Sequence, residues 1–437
     1  MKQTNNFAIS LRYFCIVVLV LTFACTTVNA SAQTGKINST VSQSAIDEYL
    51  ASQNNTDMPD EERIKSAIET YFTLRYESQK TLQEQDYSKL LEDSSQNWVN
   101  KENEKREIEL YIASLFNLRY LQYDFTLEYD SIEVKNNLAI VQLKENHQVI
   151  YEVTNPEVSE LANQIHTITL HSKNGIWLIY KDEYHDEYSD LLKTYSKEMI
   201  KQQVDENYES AQIGEQYSSR TDSNVSESSS TLALPSYSYN RSAANTFSYN
   251  NALITNAAIP TAIKNAYQAT YGVPYPGTWP TVYTNEDANG GDCTNFASEA
   301  VFEGTGYTSG DPSYFNPSPN DSNWYYKFAL SPKGSTTWIN VGWFHDYLVN
   351  TSTSKRGPYG VDVGSSSLCT SINPGDPIFM KQGSSWAHTV IVYSKSSPCT
   401  SPSYIRVNSH NSYRRNEPLT TWSGFSWFGV YIQGYRK

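Results

Sequence analysis

The 437-residue sequence lacks a basic excess, lacks a long apolar run in its body, and has only five cysteines. A net charge of −14 argues against nucleic acid as a partner, because phosphates are repelled by a long acidic stretch. The one extended apolar run, Tyr13 to Ala24, is shorter than the ~20 residues a spanning helix needs, so no stable membrane span is expected once it is removed. Charged residues make up only 18% of the chain, yet 39% hydrophobic content is ordinary for a soluble protein and excludes wholesale disorder. Close zinc-type spacing of Cys and His is also missing, so neither a metal nor another cofactor is expected. No internal repeat is visible.

What is present is uneven. Residues 33–230 hold 36 acids and 18 bases, whereas residues 231–437 hold 11 and 13. Seven of the nine Trp fall in the second stretch, within a chain that also carries 34 Tyr. Length and asymmetry together predict two domains. Ahead of them, Lys2 and Arg12, the apolar run, and Ala30 and Ala32 follow the order of a secretory signal peptide over 1–32. The product is then secreted or cell-wall associated. Cys25 leaves a lipoprotein as the lesser alternative, because Thr22-Phe23-Ala24 matches a lipidation signal poorly.

Removal of Cys15 and Cys25 with the signal leaves three cysteines. Cys369 and Cys399 sit in Ser/Pro-rich turns flanking a strand-like region and are the expected disulfide pair. Cys293 is then the odd thiol of an exported protein.

Helical spacing runs over 60–93 and 101–118, with Asp60 as an N-cap. The period changes to two after Leu121, with turn chemistry at Asn136-Asn137 and Asn174-Gly175. Residues 33–210 therefore read as an acidic α+β accessory domain. Its order of elements resembles the cone-shaped, cystatin-like folds in topology. His166 and His171 within it have no partner cluster and read as structural. Residues 211–235 are a Ser-rich linker. The second domain, 236–437, combines helices near 293–303 and 339–348 with strands at 377–381, 388–394, 403–409 and 427–434.

The segment Gly290-Gly291-Asp292-Cys293-Thr294-Asn295-Phe296 places Cys293 at a helix start. Free amides and the helix dipole there favour a thiolate and can hold an oxyanion. Such a nucleophile needs a base that also protonates the leaving amine, a task suited to histidine. His388 opens an apolar strand and is the expected base, while His345 lies in a helical stretch and reads as a packing or surface residue. Asn408 and His410 share a strand face by two-residue periodicity, and either can orient His388. Asp292 caps the helix or faces the nucleophile. Asn295 faces the site or a loop, and Trp386 lines a substrate groove or packs.

The runs GGDCTNFASEA, Trp324-Tyr325, NPGDPIFM, WAHTVIVYS and NSHNS resemble the bacterial putative amidase domain family over about 240–437. That family is similar to CHAP and NlpC-type papain-like cysteine hydrolases. The resemblance implies a papain-like α+β domain with the Cys helix packed on an antiparallel sheet. By it Cys293 is the nucleophile, His388 the general base and acid, and His410 the third polar residue. Glu299 stands where the family usually has Gln. The implied activity is amide hydrolysis in cell-wall or other extracellular peptides, with peptide or peptidoglycan as the substrate. A non-catalytic wall-binding protein and a transglutaminase-like acyl transferase are the alternative readings.

Overall fold

The computed structural model describes residues 40–217, 234–253, 291–306, 324, 335–410 and 413–436. The expected signal segment, most of the Ser-rich stretch and Gly290 lie outside the described residues. Helices come first: α1 (Thr40–Asn54), α2 (Asp60–Thr81) and α3 (Gln96–Leu115). Asp60, Glu61 and Glu62 favour the start of α2 because they face the positive end of its dipole. The cap position itself is Pro59, so Asp60 is the first helical residue rather than the cap. The helix expected over 60–93 stops at Thr81, where Leu82 takes a left-handed φ of 53° and its N–H closes on the Ser78 carbonyl.

Four antiparallel strands follow, β1 (Tyr120–Lys135), β2 (Leu138–Tyr151), β3 (Ser159–Lys173) and β4 (Ile176–Tyr184). Asn136 turns with φ 56°, and Asn174 and Gly175 with 54° and 80°, conformations that Asn and Gly adopt at little cost. Alternation along β2 buries Ala139, Val141 and Leu143 in a core shared with Ile64, Ile68 and Phe72 of α2. Helices α4 (Glu187–Thr194) and α5 (Lys197–Tyr217) complete this half.

The second half contributes β5 (Ser236–Tyr237), α6 (Arg241–Asn251), α7 (Gly291–Gly304), α8 (Thr336–Ile339), α9 (Val341–Val349), β6 (Gly357–Gly364) and α10 (Leu368–Ser371). Strands β7 (Pro377–Gln382), β8 (Ser385–Lys395), β9 (Ile405–Ser409), β10 (Arg414–Pro418) and β11 (Ser426–Arg436) close the chain. Among the described residues the strands form one sheet in the order β1-β2-β3-β10-β9-β8-β7-β11-β5, with β4 on β3 and β6 on β11. Every pairing between these strands is antiparallel, so the architecture is α+β.

The junction of the two halves is the pairing of β3 with β10 through Leu161–Arg414 and Glu160–Arg415. Around it Tyr151 Oη donates to Glu417 at 2.6 Å, Ser159 Oγ to the Asn416 carbonyl at 2.7 Å, and Asn207 Nδ2 to the carbonyls of Ser423 and Phe425 at 2.7 Å. Residues Lys36–Lys437 consequently form one compact unit. The central strands are buried on both faces. Met380, Val390, Val392 and Trp422 join the core of the accessory helices, whereas Phe379 and Ile391 join Cys293 and Phe296 of α7. Among the described residues no helix is long and apolar enough to cross a membrane.

Candidate active site

Helix α7 packs on the sheet through Phe296, Ala297, Ala300 and Val301, all fully buried. This places Cys293, its third residue and a free cysteine, against β8. The sulfur lies 3.7 Å from Thr294 Oγ1 and receives the backbone N–H groups of Thr294 and Thr389. Ile391 pairs with Asn408 across β8 and β9. Continuing that antiparallel register sets Thr389 opposite His410, on the face that α7 covers.

His410 is the most constrained side chain of the cluster. Its Nδ1 bonds Asp292 Oδ2 at 2.6 Å, its Nε2 bonds the Asn251 carbonyl at 2.9 Å, and its ring stacks on Phe296 with centroids 4.2 Å apart. Each ring nitrogen thus faces an oxygen that can accept. Asp292 also accepts from Asn295 Nδ2 at 3.3 Å. Burial pushes the Asp292 carboxyl up, but the facing His410 and these bonds hold it below the usual carboxylate range.

Asn295 is fully engaged: Nδ2 also donates to Glu299 at 2.8 Å, and Oδ1 accepts from Trp338 Nε1 at 2.8 Å. It therefore faces the site, holding Asp292 from behind. Glu299 is wholly buried, and burial beside Asp292 drives its carboxyl well above the usual range. Its Oε1 accepts from Asn295, while Oε2 is buried without a hydrogen-bond partner.

The helix start does not produce the expected thiolate. Burial, with the Asp292 charge adding to it, pushes the Cys293 thiol up to about 11, and the two amide N–H groups offset this only in part. Desolvation outweighs the dipole because the sulfur is completely covered.

His388 lies elsewhere. It alternates with Thr389 and so projects from the opposite face, stacked on Trp422 with centroids 5.8 Å apart. Neither ring nitrogen has a hydrogen-bond partner. Burial lowers the ring to about 4, against the pull of Glu187. A register shift between Met380 and Lys381 makes Ala387 an extra residue, so Trp386 turns back toward α9. There the indole packs against His345, tilted by 37° with centroids 4.4 Å apart, and leaves no room for a Cβ at Gly342, which would sit 2.3 Å from its Cδ1. Trp386 is a packing residue in this arrangement. His345 itself bonds Asp346 at 3.1 Å.

Asn408 braces the frame rather than an imidazole: Nδ2 donates to Ser248 Oγ at 3.0 Å and Oδ1 accepts from the Asn416 N–H at 2.9 Å. The structure thus brings Asp292, Cys293, Asn295 and His410 together and leaves His388 on the other side of the sheet. The Pro-Gly-Asp turn before β7 needs its glycine, since Gly375 has φ 90° and a Cβ would meet the Arg241 carbonyl at 2.4 Å. Cys369 and Cys399 are joined by a disulfide. His166 bonds Asp182 and Glu145, and His171 bonds Glu92, all within the accessory half. Among the described residues, no group of three or more His, Cys, Asp or Glu is arranged to hold a metal.

Residues 239–432 match the putative amidase domain family. No curated protein and no solved structure matches the chain. The amidase-domain description points to amide hydrolysis. Its matched segment begins and ends on residues that clamp one turn. Tyr239 Oη donates to the Gly375 carbonyl at 2.9 Å, and the Ile432 N–H donates to Asp376 at 3.2 Å. The amidase segment contains the whole Cys293 cluster, whereas the accessory half before Tyr239 lies outside the match. Sequence reading missed the Asn251 carbonyl and the Thr389 amide, because backbone groups leave no residue-type signal.

Proposed function

We propose that the amidase segment hydrolyses amide bonds through a thioester on Cys293, with His410 as proton carrier and Asp292 as the group that orients it. The observation that carries this reading is the 2.6 Å His410–Asp292 contact on the face that Cys293 shares. His388, the base expected from the sequence, projects away from it.

In the reaction the Cys293 sulfur attacks the amide carbonyl carbon, and the thiol proton passes to His410. For this Nε2 must present a lone pair and leave the Asn251 carbonyl. His410 then protonates the departing amine as the C–N bond breaks. Water attacks the thioester carbonyl, releasing a carboxylic acid and restoring the thiol. Asp292 keeps the ring oriented through Nδ1. We infer a papain-like arrangement from α7 lying against the antiparallel sheet. The export-like N-terminus and the family resemblance support secretion and a cell-wall or other extracellular peptide as substrate.

The test uses the full chain, wild type and Cys293→Ala, His410→Gln and His388→Gln, incubated with purified peptidoglycan while new free amines are measured. Loss of Cys293 or His410 should lower the rate by about 10²–10⁴-fold, and loss of His388 by less than about tenfold. Full activity of Cys293→Ala would remove that residue as the nucleophile, and no amine release even by the wild type would leave a wall-binding module as the better reading. An amide product with an added amine would indicate acyl transfer. Activity lost only with His388→Gln would return the base to that residue.

A further inference from the structure

A second site lies on the other face of the sheet, away from Cys293. A cavity of about 150 Å³ is bounded by Arg75 and Tyr76 of α2, Arg106 of α3 and His147 of β2 on the accessory side, and by Arg414 and Trp422 on the amidase side. The side chain of Arg106 is only 6% exposed, its nearest carboxylate is 3.6 Å away, and its Nε and Nη2 have no hydrogen-bond partner. Nη1 of Arg75, Nε of Arg414 and Nε2 of His147 are likewise buried without a hydrogen-bond partner, although Arg75 Nη1 lies 3.8 Å from Asp182 and Arg414 Nη1 bonds Glu417 at 3.4 Å. Native proteins leave few such groups unpaired unless something else occupies the space.

We propose that this cavity binds a small monocarboxylate, held by the guanidinium groups of Arg75, Arg106 and Arg414. Planar guanidinium groups match a carboxylate in two-point geometry. Glu109, Glu145, Asp186 and Glu187 also line the cavity and would repel a dianion such as phosphate more strongly than a singly charged carboxylate. A volume near 150 Å³ suits a guest about as large as benzene. The same carboxylate chemistry is found in a free amino acid and at a peptide C-terminus, and glycine and N-acetylglycine separate these sources.

The test measures calorimetric binding and thermal unfolding of the full chain with glycine, N-acetylglycine, the uncharged N-acetylglycinamide and inorganic phosphate. At least one carboxylate should bind saturably and raise Tm by about 2 °C or more at saturation, whereas the uncharged amide and phosphate should do neither. Arg106→Gln should weaken that binding at least tenfold, and Cys293→Ala should leave it unchanged. Ala113→Leu, which narrows the cavity without altering a charge, should weaken it similarly and carries the test if Arg106→Gln does not fold. Saturable binding of neither carboxylate, equal binding of the amide, binding of phosphate alone, or unchanged affinity in both cavity variants would overturn the proposal.

Discussion

Alkylation of Cys293 offers a direct measure of how its surroundings govern reactivity. An ordinary thiol with a pKa near 8.5 is roughly 9% thiolate at pH 7.5. With the Cys293 thiol pushed up to about 11, the thiolate fraction is smaller by about 300-fold. A more basic thiolate is a better nucleophile, and over that interval the gain is roughly tenfold. The net expectation is a rate about 30-fold below that of the same cysteine in guanidinium, and lower still because the sulfur is fully covered. Iodoacetamide labelling followed by mass spectrometry of the Cys293 peptide gives the rate. It should rise close to tenfold per pH unit through pH 10, where an unfolded control has already levelled off. Labelling as fast as the unfolded control, or a plateau below pH 7, would refute the reasoning: the thiolate would then be favoured by its site.

Two buried histidines predict opposite pH effects on stability. Burial alone would lower His166, but Asp182 and Glu145 raise it to about 9. Its contribution is full below pH ~6.5 and is lost as pH rises through 9, about 3 kcal/mol in all. Denaturant titrations of His166→Gln against wild type should show this difference only on the neutral and acid side. His388 is lowered to about 4, so its contribution is full above pH ~6.5 and is lost as pH falls toward 4, again about 3 kcal/mol. His388→Phe, which keeps a ring on Trp422, should flatten that acid limb in the same titration. Opening the Cys369–Cys399 bridge by substituting both residues with Ser frees a loop of 30 residues and should cost about 3–4 kcal/mol, read from the shift in denaturation midpoint.

Local patterns made much of this legible. The α7 stretch is apolar on one face and starts two residues before Cys293, and β7, β8, β9 and β11 lie within two or three residues of the strands read from alternation. What the sequence could not settle were choices made by neighbours. The alternation that identifies β8 as a strand does not say which face meets α7, and one extra residue at Ala387 decides where Trp386 and His388 point relative to each other. The thiol's state was misread for a related reason: a helix start is visible in a run of glycines, whereas the burial that outweighs it comes from strands a hundred residues away. Strands β6 and β10 were not expected at all. Glycine and Pro dilute the β signal in β6, and charge does so in Arg414-Arg415 of β10.

The pairing of β3 with β10 also has a temporal side. Leu161 waits for Arg414, about 250 residues later in the chain. At roughly 5–20 residues per second of synthesis, the free edge of β3 and the apolar face that Leu419, Trp422 and Phe425 later cover stand open for about 13–50 s. An unpaired edge beside uncovered apolar surface is a template for the wrong neighbour. The excess of 18 acids over bases in residues 33–230 works against such pairing between copies, because like charges repel.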